Sequence, residues 1–209
     1  AGLAGGSSNA AGTLIGLNKL WNLNLDQNTL SSLSSKLGSD VPFFINGGMQ
    51  LCFGRGEILE KLNSNFRYGV LLLKNPSVSV STAETYKKYS IKYCASYYTN
   101  TEKIQNIREN LRDNGLNRLN FSKQNVIIKN DLQLVVENEN DSVKQALYLL
   151  SNLKNCLTFS MSGSGPTCFA LFKDVDTANK ELNENYKLFK NKGYDSWVCN
   201  FLEEGVTFI

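Results

Sequence analysis

The sequence predicts an α+β protein with an antiparallel sheet, and three observations predict it. The first is an unbroken apolar run at residues 70–73, which reads as a buried strand. The second is a long middle region in which apolar residues recur at three- and four-residue spacing, the mark of amphipathic helices. The third is a closing succession of strand, serine-glycine turn, strand, helix and strand over residues 157–201. With 209 residues, 42% hydrophobic and 20% charged, the chain can bury a real core as one large or two small domains.

Residues 1–8 are glycine-rich and end in paired serines, so they read as a loop. A helix follows, with Ala11, Leu14, Leu17 and Trp21 on one side. Asp26 is a good N-cap for a second helix, which places Leu30, Leu33 and Leu37 on one face and stops at Gly38. Gly47-Gly48 marks a turn, residues 49–53 a strand, and Gly54-Arg55-Gly56-Glu57 closes that region. After the strand at 68–74, residues 76–81 form an extended crossing. Ser81-Thr82-Ala83-Glu84 has the form of a capping box for a helix running through Tyr86. Residues 102–114 form an amphipathic helix on Ile104, Ile107 and Leu111, and the polar stretch 114–125 reads as a loop. Asn130-Asp131-Leu132 opens another helical region, residues 142–152 a further helix, and residues 176–190 the last one.

Composition excludes several classes of function. A formal net charge of +3, with no Lys/Arg run, gives no case for nucleic-acid binding. No apolar run reaches the length of a membrane span, and no signal peptide opens the sequence. Histidine is absent. That removes histidine triads, histidine zinc sites and histidine bases, and leaves a carboxylate, or less often a Lys, Tyr or Cys, as proton acceptor. Cys52, Cys94, Cys156, Cys168 and Cys199 form no CxxC pair and read as buried, reduced thiols.

Three segments carry candidate chemistry. The first is Ala1-Gly2-Leu3-Ala4-Gly5-Gly6-Ser7-Ser8, ahead of a helix. Its glycines allow backbone N–H groups to approach a ligand, and the helix start adds unpaired N–H groups and a positive dipole end, together an anion site. The alternative is a flexible linker. With no Gly-Lys-Ser/Thr, it is not a Walker P-loop. The second is Gly38-Ser39-Asp40-Val41-Pro42-Phe43-Phe44, in which Pro42 biases Val41 toward an extended backbone. On chemistry alone Asp40 reads first as a turn residue, and second as a base beside apolar walls. The third is Ser160-Met161-Ser162-Gly163-Ser164-Gly165-Pro166-Thr167, a strand-to-strand turn able to form an anion nest.

These three segments, in this order, resemble the GHMP kinases. Gly54-Arg55-Gly56-Glu57 and Asn130-Asp131-Leu132 bring the resemblance closest to a member whose substrate is a cytidine-diphosphate-linked tertiary alcohol. The resemblance covers nearly the whole chain, with residues 89–125 its weakest part. It implies a two-domain GHMP kinase fold: residues 1–62 as the remainder of an N-terminal, ATP-binding domain, and residues 63–209 as a ferredoxin-like C-terminal domain. It implies that Gly2, Leu3, Ala4, Gly5, Gly6, Ser7 and Ser8 wrap the phosphates of ATP. It implies that Asp40 is the catalytic base, with Mg²⁺ offsetting phosphate charge and no metal-ligating residue assigned within the chain. Gly163, Ser164 and Gly165 are then substrate-binding residues. Thr82 becomes a substrate contact, against the alternative of a helix cap, and Tyr86 stacks on the cytosine, against the alternative of ordinary helix packing.

The family's first motif, a strand bearing a lysine and an asparagine near the catalytic aspartate, is not in this sequence. An upstream segment is therefore expected in the natural product, and this chain alone is expected to be inactive and poorly folded. The partner implied is a small molecule, in the cytoplasm of a bacterium or the stroma of a plastid; oligomeric state is not legible. Two other readings stay open: a GHMP kinase of the homoserine or mevalonate type, and a non-catalytic protein of the same fold.

Overall fold

The computed structural model describes residues 1–62, 67–93, 101–118 and 128–208, with the side chains of 101 and 113–118 left aside. The elements run α1 (Gly5–Leu20), α2 (Gln27–Ser35), α3 (Val41–Asn46), β1 (Gln50–Phe53), β2 (Ile58–Lys61), β3 (Gly69–Lys74), α4 (Thr82–Tyr93), α5 (Thr101–Arg118), α6 (Gln133–Glu139), α7 (Asp141–Ser151), β4 (Thr158–Met161), β5 (Cys168–Phe172), α8 (Val175–Asn191) and β6 (Asp195–Asn200). They fall into two compact units, Ala4–Asn65 with Leu202–Ile209, and Ala1–Leu3 with Phe66–Phe201.

The larger unit holds a four-stranded antiparallel sheet in the order β4-β5-β3-β6. β3 lies in the centre, with Leu71 opposite Ala170 of β5 on one side and Val198 of β6 on the other. With helices between β3 and β4, a β4–β5 hairpin, and α8 between β5 and β6, this is the split β-α-β arrangement of ferredoxin-like domains. Alternation along β3 sends Leu71 and Leu73 to one face. There they pack with Phe172, Met161, Val143, Leu147, Leu150 and Phe189, so that α6, α7 and α8 cover that face. Val70 and Leu171 face the other way, with Tyr68, Leu72, Ile128, Leu157 and Phe169. Within the helix layer Glu181 is only 2% exposed. Its side-chain oxygens accept from the Lys154 N–H and the Asn155 amide, so this buried polar group fastens the 153–156 loop.

The smaller unit packs α1, α2 and α3 around Ala11, Leu30, Val41 and Ile45, with Val206 of the returning tail against them. Asp26 caps α2, accepting from the Thr29 N–H at 2.8 Å. The tail closes on Gly47, whose φ is +64° and where a Cβ would lie 1.8 Å from the Gly205 nitrogen. Gly47→Ala is therefore expected to destabilise the fold by about 2–4 kcal/mol, from overpacking and left-handed strain together. A fall in the urea midpoint at constant m checks it.

Several sequence expectations are corrected here. Gly5-Gly6-Ser7-Ser8 is not loop but the first turn of α1. Ala4 turns the chain at φ +47°, and the Ser8 N–H already donates to the Ala4 carbonyl at 3.0 Å. Val41 is helical rather than extended: burying Val41, Pro42 and Ile45 outweighs the steric bias before proline, and a first-turn proline forfeits no intrahelical bond. Gly54-Arg55-Gly56-Glu57 is the turn of an antiparallel β1–β2 hairpin, with φ +70° at Gly54 and +120° at Gly56, so β2 was missed. α4 runs on past Tyr86 to Tyr93. Trp21, Leu33 and Leu37 are exposed at 61%, 37% and 62%. Cys168 is buried, but Cys52 and Cys199 are exposed, and Cys94 lies outside the described residues. Of the polar stretch 114–125, residues 114–118 are helical and the rest lies outside the described residues.

Candidate functional site

The β4–β5 connection is tight. The Ser162 N–H donates to the Thr167 carbonyl and the Gly165 N–H to the Ser162 carbonyl, both at 2.9 Å. Gly163 and Gly165 take φ +55° and +79°, conformations that favour glycine. Onto this turn the first residues of the chain are seated. The Ser162 hydroxyl donates to the Gly2 carbonyl and the Thr167 hydroxyl to the Ala1 carbonyl, each at 2.7 Å. Gly2 itself has φ +80°, and a Cβ there would lie 2.9 Å from the Gly165 carbonyl oxygen. The structure thus brings together the start of the glycine-serine segment and the serine-glycine turn, two of the three candidate segments.

Thr82 joins them. Ser81, not Thr82, caps α4: the Glu84 N–H donates to the Ser81 hydroxyl at 3.3 Å. The Thr82 hydroxyl is instead 2.7 Å from that of Ser164, a side chain only 8% exposed. One turn further along α4, Tyr86 is 58% exposed, so packing does not account for it. It lines a cavity of about 590 Å³ with Tyr89, residues 128–132, residues 161–163 and Phe169. An aromatic wall beside a hydroxyl- and glycine-rich rim suits a flat, polar-edged ring carrying an anionic group.

In the sequence Asn130 opens a helical region and belongs to a segment that carries the family resemblance, with no role of its own. Its amide donates to the Met161 carbonyl at 2.7 Å and the Gly163 carbonyl at 2.8 Å, and its oxygen accepts from the Leu132 N–H at 3.0 Å. Beside it Lys129 and Asp131 form an ion pair at 2.8 Å. Ser162 and Thr167 lie in the third candidate segment but carry no assigned contact in the sequence reading, and Tyr89 and Asn130 carry none either. A hydroxyl or amide bonded to a distant carbonyl leaves no periodic trace in a sequence.

In the smaller unit, the rest of the glycine-serine segment starts α1. The first N–H groups of a helix have no intrahelical partner, and no acidic side chain lies in this first turn. A Cβ on Gly5 or Gly6 would meet nothing within 4 Å, so the space beside them is open. Leu3, in the larger unit, is 49% exposed. Asp40 lies between α2 and α3 as the N-cap of α3, yet its exposed side chain makes no capping bond. It lies beside Gly56, on which a Cβ would be 3.5 Å from Asp40 Oδ1. Although the residue is exposed, partial desolvation of its sulfur first and the Asp40 carboxylate second push the Cys52 thiol up.

Two families match the chain: the GHMP kinases N terminal domain at residues 1–48 and the GHMP kinases C terminal at residues 98–191. Proteins of Prochlorococcus marinus strains MIT 9215 and MIT 9312, both 4-diphosphocytidyl-2-C-methyl-D-erythritol kinases, are each 78% identical over all 209 residues, which span 67% of their length. The chain belongs to the 4-diphosphocytidyl-2-C-methyl-D-erythritol kinase family, within the GHMP kinases. A crystal structure of 4-(cytidine 5'-diphospho)-2C-methyl-D-erythritol kinase superposes with a TM-score of 0.63 at 25% identity, covering 98% of this chain and 67% of that one. A homoserine kinase from Cytophaga hutchinsonii superposes at 0.54 with 20% identity, covering 90% of this chain and 62% of that one, and shares the fold. The α+β, two-domain GHMP fold expected from the sequence is thereby shown, as is membership among ATP-dependent kinases of non-mevalonate isoprenoid biosynthesis. Among the described residues no helix is long and apolar enough to cross a membrane.

Proposed function

We propose that this chain carries the catalytic base and the phosphate- and cytidine-binding groups for ATP-dependent phosphorylation of the 2-hydroxyl of 4-diphosphocytidyl-2-C-methyl-D-erythritol. The observation that carries this reading is the seating of Gly2 on the Ser162–Gly165 turn, which puts the start of the glycine-serine segment at the rim of the Tyr86 cavity. Gly2, Leu3, Ala4, Gly5, Gly6, Ser7 and Ser8 hold the ATP phosphates through backbone N–H groups and two hydroxyls. Tyr86 stacks on the cytosine. Thr82, Gly163, Ser164 and Gly165 contact the rest of the substrate.

Asp40 takes the proton of the tertiary hydroxyl as its oxygen attacks the γ-phosphorus. A new O–P bond forms, the bond from the γ-phosphorus to the β–γ bridging oxygen breaks, and ADP leaves. The carboxylate is exposed and uncommitted to capping, as a base that must meet an incoming hydroxyl requires. Mg²⁺ fits this chain as an ion held chiefly by ATP. It takes oxygen ligands and keeps several waters, and Ser7 and Ser8 present hydroxyls at the start of α1, where no acidic residue intervenes. When bound, the ion neutralises phosphate charge. The compartment that suits a kinase with relatives in Prochlorococcus marinus is the cytoplasm.

One variant and a substrate panel test these roles in the full-length gene product. Gly2→Ala is expected to weaken ATP binding about tenfold, the equivalent of the roughly 1–2 kcal/mol that a side chain loses in the left-handed region. Titration of ATP by calorimetry checks it. ADP release is expected with 4-diphosphocytidyl-2-C-methyl-D-erythritol and not above background with homoserine or mevalonate. Comparable turnover of homoserine would overturn the substrate assignment.

A further inference from the structure

We infer that Asn130 is a positioning residue for phosphoryl transfer, setting the serine-glycine turn in its active shape. The inference rests on the proposed role of that turn. All the bonding capacity that matters in its side chain is directed inward. An amide has two N–H donors and an acceptor oxygen. Here the nitrogen donates to the Met161 and Gly163 carbonyls, at 2.7 and 2.8 Å, and the oxygen accepts from the Leu132 N–H at 3.0 Å. Two carbonyls on one side and an N–H on the other also fix which end of the amide is which.

No other side chain of this size does the same. Aspartate would turn lone pairs toward two carbonyl oxygens, serine is too short, and glutamine carries an extra methylene. With both donors occupied, Asn130 has no N–H left for a substrate, so its effect is exerted through the turn. The Gly163 carbonyl it holds belongs to a residue at φ +55°. The next residue, Ser164, meets Thr82 at 2.7 Å, and Ser162 meets Gly2 at 2.7 Å. Asn130 is thus the third fastening of the turn, on the side where the turn borders the Tyr86 cavity.

The decisive variant is Asn130→Asp, nearly isosteric, compared with wild type in the full-length enzyme. The charged or titratable groups nearby are Lys129 and Asp131, paired with each other, and Tyr86 and Tyr89 across the cavity. At neutral pH kcat/KM is expected to fall roughly ten- to a hundred-fold, as when two hydrogen bonds give way to opposed lone pairs. On acidification the introduced carboxyl gains a proton and can donate one bond again. The deficit relative to wild type, measured at each pH, is therefore expected to shrink toward pH 5 while the thermal transition of the variant stays at that of wild type; a merely structural defect would lower that transition at neutral pH.

If Asn130→Asp fails to fold, Asn130→Ser replaces it. Its hydroxyl can still accept from the Leu132 N–H but cannot reach both carbonyls, and the same fall in kcat/KM is expected with thermal unfolding unchanged. The inference is overturned by a folded variant within about twofold of wild type, or by an Asn130→Asp deficit that stays constant with pH. Loss of folding in both variants would make Asn130 structural and overturn it too. A wild-type enzyme without turnover would instead sink the proposed function, and this inference with it.

Discussion

Asp40→Asn in the full-length protein is expected to lower kcat by about a hundred- to ten-thousand-fold, the range a positioned general base contributes, while ATP binding stays within error of wild type. The substitution keeps shape and removes only the ability to accept a proton. The Asp40 side chain makes no capping bond to α3, so the start of that helix does not depend on its charge. The thermal transition should therefore not move, which separates a chemical defect from a structural one. The Cys52 thiol gives an internal check. Part of its elevation comes from the Asp40 charge, so in Asp40→Asn the thiol should ionise at lower pH, and its alkylation rate at a fixed pH near 8 should rise. An Asp40→Asn enzyme with near-normal kcat would remove Asp40 from the mechanism and leave this chain the binding of phosphate and cytidine substrate.

Tyr86→Ala is expected to raise KM for the cytidine substrate by roughly ten- to a hundred-fold, the equivalent of the 1–3 kcal/mol of a base stacked on an aromatic ring. KM for ATP should not change. Tyr86→Phe should behave like wild type, because the face of the ring and not the hydroxyl carries the interaction. Tyr86 is 58% exposed, so its removal opens no core cavity and should barely shift stability. Equal increases in both KM values would point to a displaced α4 rather than lost stacking. That would also implicate the Thr82–Ser164 contact at the start of the same helix.

The parts of the fold legible in the sequence were those with a local cause. Asp26 as an N-cap, the apolar run of β3 and the 3.6-residue rhythm of α7 each act over a few residues, and each appears in the structure. What was not legible depends on partners far along the chain. The helical state of Val41 follows from burial against α1 and α2, which outweighs the local preference before Pro42. The return of the tail to Gly47 depends on residues more than 150 positions apart. The same distinction holds at the site. The glycines stand out by residue type and spacing, whereas Asp40 stands out only through the resemblance to the GHMP kinases. The Thr82–Ser164 pair, the Ser162–Gly2 bond and the Asn130 clamp are side chains joined across 82, 160 and 31–33 positions. No pattern within a segment announces such bonds.

The most direct test of the central claim is ³¹P NMR of the product made by the full-length enzyme from ATP and 4-diphosphocytidyl-2-C-methyl-D-erythritol. A single new phosphomonoester on the tertiary 2-oxygen, formed in step with ADP, is the predicted result. ADP accumulating without that ester, or the ester appearing on a different hydroxyl, would contradict it.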